Sequence, residues 1–115
     1  MAFFLQVALF AFLFGANDSR PGDFKIIGPG GGGAMFHPTI SPHDPNTALV
    51  SCDMTGSHIT HDGGKSWRMF NLRGVVRFFV FDPLDRNVIY AQANGLWRSQ
   101  DGAAPGPSSI LNLRL

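Results

Sequence analysis

The chain has 115 residues, with 9 Lys and Arg against 8 Asp and Glu, giving a formal net charge of +1. That balance argues against a protein that grips nucleic acid or an anionic membrane by bulk electrostatics, because neither sign dominates. The length allows one small domain, and a single cysteine, Cys52, excludes both an internal disulfide framework and a multi-thiolate zinc site.

Residues 1–16 (MAFFLQVALFAFLFGA) contain no charged side chain and five of the eleven Phe residues. The stretch is shorter than the roughly 20 residues a membrane-crossing helix needs and has the length of a signal-peptide h-region. No Lys or Arg precedes it, and Phe14 stands where a small residue is preferred ahead of a cleavage after Ala16. The reading is a leader helix over 1–16, a signal peptide or a membrane anchor, that sends the chain to a secreted or periplasmic location. The alternative is a buried apolar N-terminal helix or strand. Residues 17–27 read as a polar linker, with a glycosylation sequon at Asn17 and the start of an edge strand at 24–27.

Residues 28–33 (GPGGGG) contain a formal GxGxxG, but Pro29 interrupts it and no helical periodicity follows, so it is read as a close-packed turn rather than a dinucleotide loop. Gly64-Lys65-Ser66 lacks the glycine a phosphate loop requires, because Ile59 stands in that place. Beyond this point the pattern is one of short β-rich runs bounded by turn residues, at 47–52, 57–60, 67–70, 75–81, 87–92 and 95–99. The turn signals are Asp62-Gly63-Gly64 and Asn94-Gly95. The run 75–81 (VVRFFVF) alternates poorly and predicts a strand buried on both faces. The fold class is therefore all-β.

Two motifs recur in the same order. Phe36-His37-Pro38 returns as Phe81-Asp82-Pro83, and the segment 56–63 returns as 95–102, with an insertion at 39–43 of the first copy accounting for the unequal steps. A unit of about 40–45 residues built from four short strands has the size of a propeller blade. This predicts a partial β-propeller of one and a half to two four-stranded antiparallel blades over 28–102, followed by an unstructured tail at 103–115.

Thr60, Asp62, Gly64, Ser66 and Trp67 fill every defined position of S/T-x-D-x-G-x-S/T-W. The pattern is that of the Asp box, or BNR repeat, of sialidase-like propellers, which the chain resembles. Its role is structural: the aspartate accepts backbone N–H bonds in the turn, glycine takes up positive φ, and tryptophan packs beneath. Ser99 and Asp101 begin a second box that breaks off into residues 103–107 (AAPGP).

A longer stretch, roughly 28–102, is similar to the opening blade of family 74 xyloglucanases and related sortilin-like propellers. It carries their glycine-rich turn, then Phe36-His37-Pro38, then Asp44-Pro45-Asn46, and from Asp53 to Trp67 it follows their register without a gap. The resemblance implies that Asp53 is the general base of an inverting glycoside hydrolase. Such a reaction needs a second carboxyl about 6.5–9.5 Å away as the acid, and in the family that acid lies in a second propeller. Met54, Thr55, His58 and Ile59 depart from the family's small or aromatic residues. Against the catalytic role stands a strand-end carboxylate that caps a turn.

The remaining chemistry-bearing residues have plain readings. His58 and His61, three apart on a strand pattern, face opposite sides, so no metal site is expected, and no motif calls for a cofactor. Cys52 is read as a small buried apolar residue, Arg68, Arg73 and Arg77 as a solvated rim, and either His58 or its repeat partner Trp97 as facing a channel. Two blades alone bury too little apolar surface to stand by themselves. The expectation is an N-terminal portion of a secreted, polysaccharide-binding or polysaccharide-cleaving propeller, completed by further blades or by self-association and inactive as this chain. The competing expectation is a non-catalytic sortilin-like or photosystem-assembly-factor-like module that binds protein or sugar.

Overall fold

The computed structural model describes residues 24–54, 56–105 and 110–113. The leader at 1–16 and the linker up to residue 23 lie outside them. Every regular element described is a strand: β1 (Met35–Ile40), β2 (Ala48–Cys52), β3 (Gly56–Thr60), β4 (Arg68–Phe70), β5 (Phe78–Phe81), β6 (Ile89–Gln92), β7 (Leu96–Ser99) and β8 (Ile110–Leu113). They form two antiparallel four-stranded sheets, ordered β1-β2-β3-β4 and β5-β6-β7-β8.

Alternation decides which face of each strand is buried. In the first sheet Leu49 pairs with Ile59, each 1% exposed, and both point toward the second sheet. In the second, Phe79, Phe81, Ile89 and Ala91 share one face and meet them in a single cluster that Leu72, Val76, Ala93 and Ala103 complete. The Phe70 and Phe79 rings cross this interface edge to face, with centroids 6.3 Å apart. One core therefore joins the two sheets.

The sheets repeat strand for strand. The pair Ile40–Ala48 corresponds to Phe81–Ile89, and Ala48–Thr60 to Ile89–Ser99. From Ala48 to Ile89 the step is 41 residues, and from Thr60 to Ser99 it is 39. The lost two residues come from the hairpin tip. Cys52 pairs with Gly56 in the first sheet, whereas the second turns more tightly, with the Ala93 N–H donating to the Gly95 carbonyl at 3.0 Å. Asn94 there takes φ +47°, as Asn-Gly hairpins do.

Several sequence expectations need correction. Phe36-His37-Pro38 does not correspond to Phe81-Asp82-Pro83: register makes Ile40 the counterpart of Phe81, so no insertion at 39–43 is required. The first motif instead lies within β1, a strand absent from the sequence reading. Its pairing shifts between Phe36 and Thr39, at a bulge where His37 takes φ +53° and Pro38 offers no N–H. Residues 24–27 form no strand. The run 75–81 is not buried throughout. Only 78–81 is strand, and Phe78 and Val80 are 43% and 48% exposed because nothing among the described residues covers that face. The tail expected to be unstructured at 103–115 carries β8, which pairs with β7 from Leu96–Leu113 to Ser99–Ile110.

Candidate functional site

Because strands alternate in direction, all connections fall at two ends. The 41–47, 61–67, 82–88 and 100–105 loops share one end, where they line a common cleft of about 400 Å³ between the sheets. The hairpin tips at 53–54 and 93–95, with the 71–77 connection, share the other.

At the loop end, the 60–67 turn is knitted by two side chains. The Thr60 hydroxyl donates to Asp62 Oδ1 (2.8 Å) and accepts from the N–H groups of Asp62 (3.3 Å) and Gly64 (2.9 Å). Asp62 in turn accepts from the Ser66 N–H (2.9 Å) and hydroxyl (2.6 Å). These bonds, the Ser66 hydroxyl foremost, hold the Asp62 carboxyl at about 2, because they favour its ionised form. Trp67 is half-buried and its Nε1 donates to the Ile27 carbonyl (2.6 Å), tying the incoming 24–29 segment to the turn.

The 99–103 turn repeats the first half of this network. The Ser99 hydroxyl donates to Asp101 Oδ1 (2.8 Å) and accepts from the N–H groups of Asp101 (3.5 Å) and Ala103 (2.8 Å). Ala103 takes φ +55° where Gly64 takes +87°, and Arg68 closes the turn by donating to the Ala103 carbonyl.

A second pair of turns recurs between the sheets, of which only the first member, Asp44-Pro45-Asn46, stood out in the sequence. Asp44 accepts from the Asn46 N–H (3.0 Å) and the Thr47 hydroxyl (2.9 Å), and Asp85 accepts from the Asn87 N–H (2.9 Å). Asn46 and Asn87 then receive the N–H of Gly63 and Gly102 on their carbonyls, at 2.9 and 2.7 Å. The signal available was D-x-N, at 44–46 and again at 85–87. The Asp44 carboxyl is lowered by its Asn46 bond, and that of Asp82 by the N–H groups of Leu84 and Asp85. Thr47 spends its hydroxyl proton on Asp44, so the 3.2 Å contact with His61 Nδ1 has the imidazole as donor.

Asp53 stands at the opposite end, exposed. Its Oδ1 accepts the Ala34 N–H (2.9 Å), and its own N–H donates to the Ala34 carbonyl (3.3 Å). The glycine turn must approach closely here, since a Cβ on Gly33, at φ +97°, would lie 2.7 Å from Cys52 Sγ and 2.9 Å from Asp53 Oδ1. The other five described carboxylates, Asp44, Asp62, Asp82, Asp85 and Asp101, all belong to the loop end. Cys52 is buried, 1% exposed. His58 lies on the face of the first sheet turned away from the second, with burial holding its pKa down, whereas its repeat counterpart Trp97 packs on the shared core and donates to the Ala93 carbonyl (2.7 Å).

Compared with known protein families, with curated proteins and with solved structures, the chain finds no match.

Proposed function

We propose that the two sheets are adjacent blades of an Asp-box β-propeller, similar to those of secreted family 74 glycoside hydrolases, that binds polysaccharide at its hairpin-tip end. One observation carries this reading: the second sheet repeats the first strand for strand, and Ser99 and Asp101 remake in their turn the bonds of Thr60 and Asp62. A two-sheet sandwich would bury its apolar side chains between the sheets and turn polar residues outward. Here both outer faces also carry apolar side chains, Ile40, Ala48 and Val50 beside His58 and Thr60 on one and Phe78, Val80 and Tyr90 beside Gln92 and Arg98 on the other, as in a blade that expects a neighbour on each side.

In the catalytic version Asp53 is the general base. Its partner acid then comes from outside the described residues, because the remaining described carboxylates belong to the loop end. In the non-catalytic version, which the bidentate tie between Asp53 and Ala34 favours, Asp53 fixes the glycine turn and the hairpin tips only bind. Sedimentation of the chain with insoluble xyloglucan and β-glucan, alongside reducing-sugar release, separates the outcomes. Binding without hydrolysis is expected. Hydrolysis abolished by Asp53→Ala would establish the enzyme, and no retention on any β-glucan would end the polysaccharide reading.

A further inference from the structure

The outer face of the first sheet carries an apolar groove of about 250 Å³ between Pro38, Ile40, Ala48, Thr60 and Trp67, edged by residues 27–29. The repeat identifies what this groove is. Register makes Ile40, Ala48, Val50, His58 and Thr60 the counterparts of Phe81, Ile89, Ala91, Trp97 and Ser99, the residues of the second sheet onto which the first sheet packs. By the same register the outer face of the second sheet, with Val80, Tyr90 and Arg98, corresponds to Thr39, Leu49 and Ile59, the face that does the packing. Each chain thus carries both halves of an interface it already contains once, with Ile40 exposed on the first and Phe78 and Val80 on the second.

We propose that a second copy of this chain occupies the groove: the outer face of the second sheet of one protomer docks head to tail onto the outer face of the first sheet of the next. The inference rests on the repeat and not on the polysaccharide. The interface is heterologous, so repetition closes a ring when the rotation between sheets divides a full turn.

Both faces also carry polar side chains whose register positions answer each other. His58 Nδ1 on the first sheet, and Gln92 Oε1 and Arg98 Nε on the second, are buried without a hydrogen-bond partner among the described residues. In the internal interface Ile59 and Trp97 belong to the same cluster. Their counterparts across the proposed contact are Arg98 and His58, a guanidinium donor against an imidazole that burial keeps in its neutral, acceptor-bearing form.

The test is the solution mass of the full chain by sedimentation velocity, with two variants at exposed positions, Ile40→Asp (65% exposed) in the groove and Val80→Asp (48% exposed) on the opposing face. The wild type is expected to run as a multiple of the protomer, and each variant alone as a monomer. An equimolar mixture of the two is expected to form a dimer and nothing larger, because one intact groove then meets one intact opposing face. That regained dimer also shows that both variants fold. A monomeric wild type at tens of micromolar overturns the proposal. So does association indifferent to both substitutions, the result expected if the apolar residues 1–16 or a different surface drive it. Failure to bind glucan leaves the outcome untouched.

Discussion

The turns at 60–67 and 99–105 start from the same chemistry and finish differently. Thr60 and Ser99 each hold an aspartate two residues on and an N–H four residues on. Beyond that point the first turn adds Ser66 onto Asp62 and Trp67 onto the incoming chain, whereas the second has Pro105 and Gly106 at those two sequence positions and is joined by Arg68 reaching in from the first sheet. A hydroxyl and a carboxylate two residues apart are enough to set the turn. The remaining motif positions fasten it to whatever lies outside, so the first turn is anchored to residues 24–29 and the second to its own neighbour sheet.

The largest effect tests whether that shared packing makes one folding unit. Leu49→Ala removes a side chain 1% exposed at the junction and is expected to cost about 2–5 kcal/mol. Trp67 reports on the first sheet and Trp97 on the second, so fluorescence of single-tryptophan forms should show both midpoints falling together in urea. Separate transitions would mean the sheets stand independently.

A smaller effect tests the equivalence of Gly64 and Ala103. A Cβ on Gly64 would sit 2.7 Å from the Ile27 carbonyl oxygen and 2.8 Å from its Cβ, at φ +87°. Gly64→Ala should therefore lose about 1–3 kcal/mol and loosen residues 24–29, seen as faster amide exchange there. Ala103→Gly should be close to neutral. Relief of its left-handed backbone, about 1 kcal/mol, offsets the buried methyl it gives up, about 0.8 kcal/mol. Equal losses at both sites would break the comparison.

The smallest effect is on acid stability. Folded Asp62 titrates at about 2, below the ordinary carboxylate value, and Asp44 and Asp82 are lowered in the same direction. A depressed carboxyl stabilises the fold fully above about pH 4 and loses that contribution as the pH falls toward 2. Urea midpoints measured across that window should decline, and Asp62→Asn should flatten the decline. An unchanged acid limb would show that the Ser66 bonds do not persist in solution.

Much of this was legible in the sequence where turn chemistry is local. Thr60, Asp62, Gly64 and Ser66 announce their turn because the bonds that make it span only four residues. Strands β2 to β7 followed from alternation between such turns, whereas β8 fell in a stretch read as an unstructured tail. β1 escaped because His37 and Pro38 sit in a bulge, and a proline with a left-handed neighbour reads as loop until the partner strand is in place. The fate of 75–81 escaped because burial of an outward face depends on what covers it, not on its own residues. The lone position of Asp53 was equally invisible, since which end of the molecule a carboxylate occupies is set by strand direction.

The hairpin tips differ by two residues while the opposite loops keep matched register. Side chains alternate with a period of two, so a pair of residues can be gained or lost at a tip without sending any core side chain to the wrong side, whereas a single one would invert the whole strand. The tips are therefore the place where this architecture tolerates lengthening in even steps, and where new sequence can be grafted for screening without redesigning the interior.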